Sequence, residues 1–291
     1  MTAADISLVD AYINGDISFV DKRYGFLNLL MSNELFALFM DETMAYSCAV
    51  FKAKIDNKHE ILEIGCGWGG LAIEVVKRTG CKYTGITLSE EQLKLSEKRV
   101  KEPDFGIQNF FELYCQEDIR FQLCDYRQLP STYKYDRIIS CEMIAAVGHE
   151  YMEDFFDCCE SVLAEDGLLV LQFTSIPEKR YDEYRQSSDF IKEYIFPGGC
   201  LPSLTRATTA MNAASRLWYN AISSLLIVLW LHVKINALGF NDKFIRTWEC
   251  YCDYCAAGFK SNTLGNYQVV FSRPGNVAAL GNPFKGFPSA S

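Results

Sequence analysis

The chain has 291 residues, with 28 Lys and Arg against 37 Asp and Glu, so its formal net charge is −9. Hydrophobic residues make up 49% of the chain, which is enough for a sizeable core and excludes a disordered or collagen-like protein. The acidic balance argues against a nucleic-acid partner, because such binding needs cations to neutralise phosphates. The start at Met1 has no basic and apolar leader, so we expect a cytoplasmic protein with reduced cysteines.

Short apolar runs alternate with amphipathic stretches in the middle of the chain, which favours βαβ units and a parallel sheet. A helix is predicted over 71–78, after the first strand, because Leu71, Val75 and Arg78 share one face. A second helix is predicted after the second strand, where residues 89–92 form a capping box. A third helix is predicted from about 150 to 163. The predicted strands are residues 60–64, 83–87, 119–123, 137–140, 168–173 and 267–271. The predicted fold class is α/β and Rossmann-like.

Flanking segments surround this core. Residues 1–58 are predicted to form a helical cap, 59–175 the α/β core, and 176–291 a helical lid with a final strand and a tail. The apolar run 225–233 is shorter than the roughly 20 residues of a membrane span and is closely bracketed by polar and charged residues, so a span is disfavoured. A core helix or a segment that contacts a membrane surface is favoured instead, and the second interpretation gives a peripheral membrane protein.

Three cysteines lie close together in an aromatic stretch that is predicted to be helical. They are Cys250, Cys252 and Cys255. No second Cys or His pair with metal-binding spacing accompanies them, so we predict reduced thiols and no metal.

A glycine-rich loop follows the first predicted strand. In the run from Gly65 to Gly70 the backbone can approach a ligand closely, and N–H groups at the start of the next helix are available to bind it. The Gly-x-Gly-x-Gly form, preceded by Glu63, is typical of S-adenosylmethionine (SAM) sites, because its sharp turn makes room for the amino-acid end of that cofactor, which has no pyrophosphate. A plain strand-to-helix turn is the alternative interpretation.

Polar residues also follow the second and third predicted strands. Asp125 can accept a hydrogen bond from an adenine amino group, and Tyr126 can stack on its ring. Because the carboxyl ends of parallel strands meet at one edge, the three strand ends predict one cofactor site; ordinary caps and turns are the alternative. The expected cofactor contacts are Glu63, Gly65, Gly67, Trp68, Gly69, Thr87, Leu88, Ser89, Gln92, Asp125 and Tyr126.

Four motifs carry a family resemblance. They are Tyr46-Ser-Cys, Glu63-Ile-Gly-Cys-Gly-Trp-Gly-Gly, Gly85-Ile-Thr-Leu-Ser-Glu-Glu-Gln and Cys141-Glu-Met-Ile-x-Ala-Val-Gly-His. Together they resemble the cyclopropane fatty acid synthase family, which implies the class I SAM-dependent methyltransferase fold. Members add the SAM methyl as a methylene bridge across the cis double bond of a phospholipid acyl chain. The resemblance therefore implies an unsaturated phospholipid substrate and transient contact with a membrane surface.

The resemblance also implies further site residues. Tyr46 and Ser47 join the expected cofactor contacts. In the family, the alkene attacks the sulfonium methyl, and a bicarbonate ion then removes a proton from the transferred methyl group. Cys48 and Cys255 occupy the cysteine positions beside that ion, and His149 lies next to the same loop, so these three are the candidate catalytic residues. Buried thiols and a turn histidine are the alternative.

Several departures from the family fall in the base-binding machinery. The glutamate that holds bicarbonate is Ala145 here, and the nearby Glu142 is expected to point elsewhere. An apolar run, 221–233, replaces the polar helix that carries a tyrosine in the family. The sequence therefore predicts SAM binding with weak or absent cyclopropanation. The alternatives are a small-molecule amine N-methyltransferase, whose relatives share the stretch 194–199, and a non-catalytic SAM-binding paralogue.

Overall fold

The computed structural model describes residues 10–17, 52–101, 117–224 and 241–276. Tyr46, Ser47 and Cys48 lie outside the described residues, as do the apolar run 225–233 and most of the predicted N-terminal cap. No helix in the described ranges is long and apolar enough to cross a membrane.

One mixed sheet forms the centre of the described structure. Its strands are β1 (Glu60–Ile64), β2 (Lys82–Thr87), β3 (Ile119–Leu123), β4 (Tyr135–Cys141), β5 (Leu163–Ser175), β6 (Trp218–Ser224) and β7 (Gly265–Ser272). They lie in the order β3-β2-β1-β4-β5-β7-β6. Strands β1 to β5 are parallel, whereas β7 runs antiparallel between β5 and β6. The predicted α/β fold is confirmed.

The helices of the described ranges cover both faces of this sheet. They are α1 (Gly70–Thr79), α2 (Glu90–Lys101), α3 (Ile144–Val147), α4 (Met152–Val162), α5 (Glu178–Gln186), α6 (Leu204–Ala214) and α7 (Asp242–Lys260). A π-helical segment, Ile191–Ile195, lies between α5 and α6, and a 3-10 turn, Tyr126–Gln128, follows β3.

Alternating side chains of the central strands supply two apolar cores, as expected for a parallel sheet that is covered on both faces. On β1, Leu62 and Ile64 join the core that contains Phe155 and Phe156 of α4. Ile61 joins the other core, which is built around α1.

The buried face of α1 differs in part from the prediction. It consists of Leu71, Ala72, Val75 and Val76. Arg78, predicted to share the face of Leu71 and Val75, is exposed and pairs with Glu74 one turn earlier. An arginine can satisfy its charge in that position without losing water.

The segment after β5 is less helical than predicted. Residues 218–224 form β6, which pairs with β7 across a register shift between Tyr219 and Ala221. This pairing joins segments far apart in the sequence and satisfies backbone groups that a local pattern assigns to a helix. Because β6 and β7 belong to the same sheet as β1–β5, the segment 176–291 contributes to the core of the fold; the predicted boundaries at 58 and 175 stay predictions.

The cysteine cluster lies on α7, as predicted. Cys250 and Cys255 are buried there. Among the residues that the structure describes, no three His, Cys, Asp or Glu side chains are grouped as a metal site would require.

Candidate active site

Three loops meet at the carboxyl ends of β1, β2 and β3. Ile64 pairs with Ile86, and Thr87 pairs with Leu123, so the three strands end at the same level. The Gly65 and Cys66 amides both donate to the Ile86 carbonyl, at 3.0 and 2.9 Å, and Cys124 N donates to the Thr87 carbonyl at 3.0 Å. The structure thus brings together the three segments that the sequence assigned to one cofactor site.

The glycine loop has the open geometry that a ligand needs. Gly65, Gly67 and Gly69 have φ angles of 82°, 51° and 78°, which favour glycine. A Cβ at Gly67 would meet no atom within 4 Å, so this part of the loop faces open space. Gly69 caps α1 without a side-chain hydrogen bond, so the first amides of α1 have no side-chain acceptor in the cap. These amides suit the carboxylate end of an amino-acid cofactor.

The second junction is fixed by a hydrogen-bonded side-chain cluster. Ser89 Oγ accepts from Gln92 N at 3.3 Å, which is half of the predicted capping box. The other half is different: Thr87 Oγ1 accepts from Ser89 N at 3.1 Å and donates to Gln92 Oε1 at 2.8 Å. In the predicted capping box the Gln92 side chain would accept from Ser89 N, and Thr87 Oγ1 fills that role instead. Leu88, between Thr87 and Ser89 in the sequence, is 72% exposed.

The third junction presents an ionised carboxylate. Asp125 accepts from Arg127 N at 3.0 Å and from Arg127 Nε at 3.0 Å. The hydrogen bonds from Arg127 lower the pKa of Asp125, so its carboxylate stays charged and accepts hydrogen bonds. Tyr126 packs edge-on against Phe155, with ring centroids 5.4 Å apart, and burial raises its pKa to about 12. Part of its ring therefore belongs to the core.

Two further predicted contacts, Glu63 and Trp68, differ in exposure. Glu63 is only 3% exposed, and its Oε2 accepts from the Tyr83 hydroxyl at 2.6 Å. Burial raises the pKa of Glu63 to about 8, so the side chain is mostly neutral at pH 7. Trp68 is 48% exposed, and its carbonyl accepts from Arg99 Nη1 at 3.0 Å, which ties the loop to α2. Direct contact of either side chain with the cofactor stays a prediction.

A cavity of about 1230 Å³ is lined in part by the loop that follows β4, through residues 142 and 145–148. The same loop packs on the glycine loop, because a Cβ on Gly65 would lie 2.7 Å from Met143 Cγ. The residues of the glycine loop do not themselves line the cavity. The other walls come from the end of β5, from α5, the π-helical segment, residues 196–201 and α7. The loop after β4 therefore contacts both the cavity and one of the three loops at the ends of β1, β2 and β3, which together we call the cofactor cradle.

Of the candidate catalytic residues, Cys255 lies at this cavity. Cys255 is 9% exposed and lines the wall together with Ala145. The Ala145 carbonyl accepts from Cys200 N at 2.8 Å, which fixes the loop against residues 196–201. Cys48 lies outside the described residues.

His149 has structural partners and is not among the residues that line the cavity. Its Nδ1 accepts from the Tyr181 hydroxyl at 2.7 Å and from Arg206 Nε at 3.3 Å, since the guanidinium can only donate. Arg206 also donates to the His149 carbonyl at 2.6 Å and forms two bonds of 2.7 Å to Glu153. The network joins α4, α5 and α6. A catalytic role for His149 stays a prediction.

Glu142 is the residue that sequence reasoning missed. It was expected to point away from the site, but it lines the same cavity as Ala145. Its φ of +52° is left-handed, and its carboxylate accepts from Thr174 N at 3.0 Å and from Asn266 Nδ2 at 2.7 Å. Those donors lie on β5 and β7, so no local pattern could have located them.

Comparison with solved structures supports the class of fold. The cyclopropane synthase CmaA1 complexed with S-adenosylhomocysteine (SAH) and CTAB superposes with a TM-score of 0.65 at 20% identity, over 90% of this chain and 98% of that one. The cyclopropane synthase MmaA2 from Mycobacterium tuberculosis gives a TM-score of 0.64 at 19% identity, covering 91% and 97% of the two chains. The fold is that of the class I SAM-dependent methyltransferases.

The sequence comparisons identify the family. The profile of the family described as mycolic acid cyclopropane synthetase matches residues 52–269, so the chain belongs to this family of SAM-dependent methyltransferases. It is 32% identical to tuberculostearic acid methyltransferase UfaA1 of Mycobacterium tuberculosis, over 84% of this chain and 64% of that protein. It is 28% identical to cyclopropane-fatty-acyl-phospholipid synthase of Escherichia coli K12, over 84% and 66%. The chain spans about two thirds of the length of these relatives.

Proposed function

We propose that the protein transfers the SAM methyl group to the cis double bond of an unsaturated phospholipid acyl chain and closes it to a cyclopropane ring. One observation carries this function: the loop after β4 packs on the open glycine loop through Met143, and its residues 142 and 145–148 line a large cavity. A methyl donor bound by the glycine loop and a long acceptor bound in the cavity can therefore approach each other across this loop. Family membership and the lipid-modifying names of the relatives support the same choice of acceptor.

The residues at the three strand ends fit SAM, which supplies an electrophilic methyl group on a sulfonium. The amides at the start of α1 suit its carboxylate, and the space beside Gly67 suits its amino-acid end. Thr87 and Gln92, which are hydrogen-bonded to each other at the end of β2, can offer polar partners to a ribose. The charged Asp125 carboxylate can accept from the adenine amino group.

The cavity suits an acyl chain, because apolar and aromatic side chains make up much of its wall. They include Ile176, Ile195, Phe196, Tyr251, Tyr254 and Phe259. The apolar part of the wall would shield a carbocation on the acyl chain from water, and aromatic faces would stabilise the charge. A cytoplasmic protein would take its acceptor from a membrane surface by transient contact.

Proton removal is the step that we expect to be weakened. The Ala145 side chain has no oxygen with which to hold a bicarbonate ion, whereas Cys255 remains at the same cavity. Slow turnover is therefore expected.

The direct test is incubation with SAM, bicarbonate and vesicles of unsaturated phospholipid, followed by mass spectrometry for lipids that have gained one methylene. We expect slow product formation by the wild type and a rise of about tenfold in Ala145→Glu, a fraction of what a pre-organised catalytic group supplies. Ala145→Gln has nearly the same size without the charge and should give no such rise.

Two outcomes would contradict lipid methyl transfer and favour another function. Transfer to a small amine with none to lipid would favour an amine N-methyltransferase. SAM binding without transfer to either acceptor would favour a non-catalytic paralogue.

A further inference from the structure

Glu142 has a geometry that its position in a loop does not require. Its φ of +52° is uncommon for a residue with a Cβ and costs conformational energy. Strain of this kind persists when surrounding contacts hold it, and it is found most often at functional sites. Here hydrogen bonds from Thr174 and Asn266 hold the Glu142 side chain at the wall of the cavity that we propose for the acyl acceptor.

Two donors fix the orientation of that carboxylate. Oε2 accepts from Thr174 N at 3.0 Å, and Oε1 accepts from Asn266 Nδ2 at 2.7 Å. Glu142 is nevertheless solvent-exposed, and it lines the cavity. A carboxylate has about four acceptor positions, and two donors leave room for a third partner.

Asn266 adds a second observation. Its side chain is 1% exposed, and its Oδ1 is buried without a hydrogen-bond partner in the described ranges. The amide nitrogen donates to Glu142 Oε1. A flipped amide would instead offer Oδ1 as an acceptor, so the Asn266 side chain can pair with a carboxyl group that accepts or with one that donates.

Resting on the lipid methyl transfer proposed for this protein, we propose that the Glu142 carboxylate is the base of the reaction, in place of an ion held at residue 145. The alkene electron pair forms a bond to the methyl carbon, and the carbon–sulfur bond breaks with its electrons leaving on sulfur. Glu142 then takes one proton from the transferred methyl group, and the C–H electron pair closes the three-membered ring. The proton finally passes from Glu142 to solvent.

The test compares lipid products of wild type, Glu142→Gln and Glu142→Gly in the vesicle assay. We expect both variants to lose about 10²-fold in cyclopropyl product, the size of a general-base contribution. Methyl transfer should partly survive, so the ratio of methyl-branched alcohol or alkene to cyclopropyl lipid should rise. Wild-type turnover should be unchanged in bicarbonate-free buffer. Glu178 is an exposed residue of α5 that does not line the cavity, so the control variant Glu178→Gln should form as much cyclopropyl product as the wild type.

Glu142→Gly separates chemistry from folding, because glycine adopts the left-handed backbone without strain. The variant also leaves Asn266 Nδ2 and Thr174 N without their acceptor, so its thermal midpoint should fall slightly, while its SAH affinity should stay at the wild-type value and the cyclopropyl product should fall. Wild-type product that persists in the two Glu142 variants, or that requires added bicarbonate, would overturn the role of Glu142 and leave lipid methyl transfer standing. Absence of methylated lipid from a wild type that binds SAM would overturn both.

Discussion

Gly67 and Gly69 have similar left-handed backbones but different surroundings. Gly67 faces open space, whereas a Cβ on Gly69 would lie 2.7 Å from Ser96 Cβ and 3.0 Å from Phe121 Cζ. The first position keeps room for a ligand, and the second allows α1 to pack closely against α2 and β3. The same motif thus requires glycine at these two positions for different physical reasons.

This contrast predicts different losses of stability for the two alanine variants. Gly67→Ala should lower the free energy of unfolding by about 1–2 kcal/mol, the cost of a left-handed residue with a Cβ. Gly69→Ala should lower it by about 2–5 kcal/mol, because overpacking adds about 1–3 kcal/mol. Urea denaturation of both variants measures the difference. Equal losses would contradict the tight packing at Gly69.

Glu142 shows where prediction from the sequence stopped at the residue scale. The residue types at the cofactor junctions could be read from the chain, because glycines and polar strand ends lie next to one another in sequence. The direction of the Glu142 carboxylate depends on Thr174 and on Asn266, which lies 124 positions further along the chain. Contacts of that separation leave no local pattern.

At the scale of elements, the predicted strands correspond to the observed β1–β5 and β7, although β5 begins at Leu163, five residues before its predicted start. Strand β6 was missed, since the sequence Trp218–Ser224 has few β-branched residues and is held by pairing with β7. Helix α4 lies within two residues of its predicted bounds, whereas α5 and α6 were predicted only as parts of a helical segment. What joins them is a polar network around Arg206, which no periodicity indicates.

The Arg206 network predicts a measurable stabilisation of these three helices. Arg206 is 14% exposed and makes a bidentate pair with Glu153, together with a bond to the His149 carbonyl. Arg206→Ala leaves these acceptors unpaired and should lower the free energy of unfolding by about 2–3 kcal/mol. Arg185→Ala removes the pair with Asp182, whose side chain is 86% exposed, and should cost less than about 1 kcal/mol. Urea denaturation measures both losses. Similar losses in the two variants would show that the Arg206 network stabilises the fold no more than an exposed ion pair does.

At the scale of the whole molecule, the sheet order places the cofactor cradle at β1–β3 and the cavity beyond β4 and β5. The loop after β4 is the element that both share. We expect a change in this loop, such as alanine at position 145, to alter the chemistry while the predicted cofactor site keeps its geometry. SAM binding and methyl transfer can therefore be tested separately, and binding is tested first.

Isothermal titration of the purified protein with SAH tests the cradle most directly. We expect one site per chain with micromolar affinity, about −8 kcal/mol, and competition by SAM. Gly67→Ala should bind at least about tenfold more weakly, because its methyl group enters the open space of the loop, a loss of about 1.4 kcal/mol. A folded wild type that releases no heat with SAH or SAM, or a Gly67→Ala variant with unchanged affinity, would contradict a cofactor site at these three strand ends.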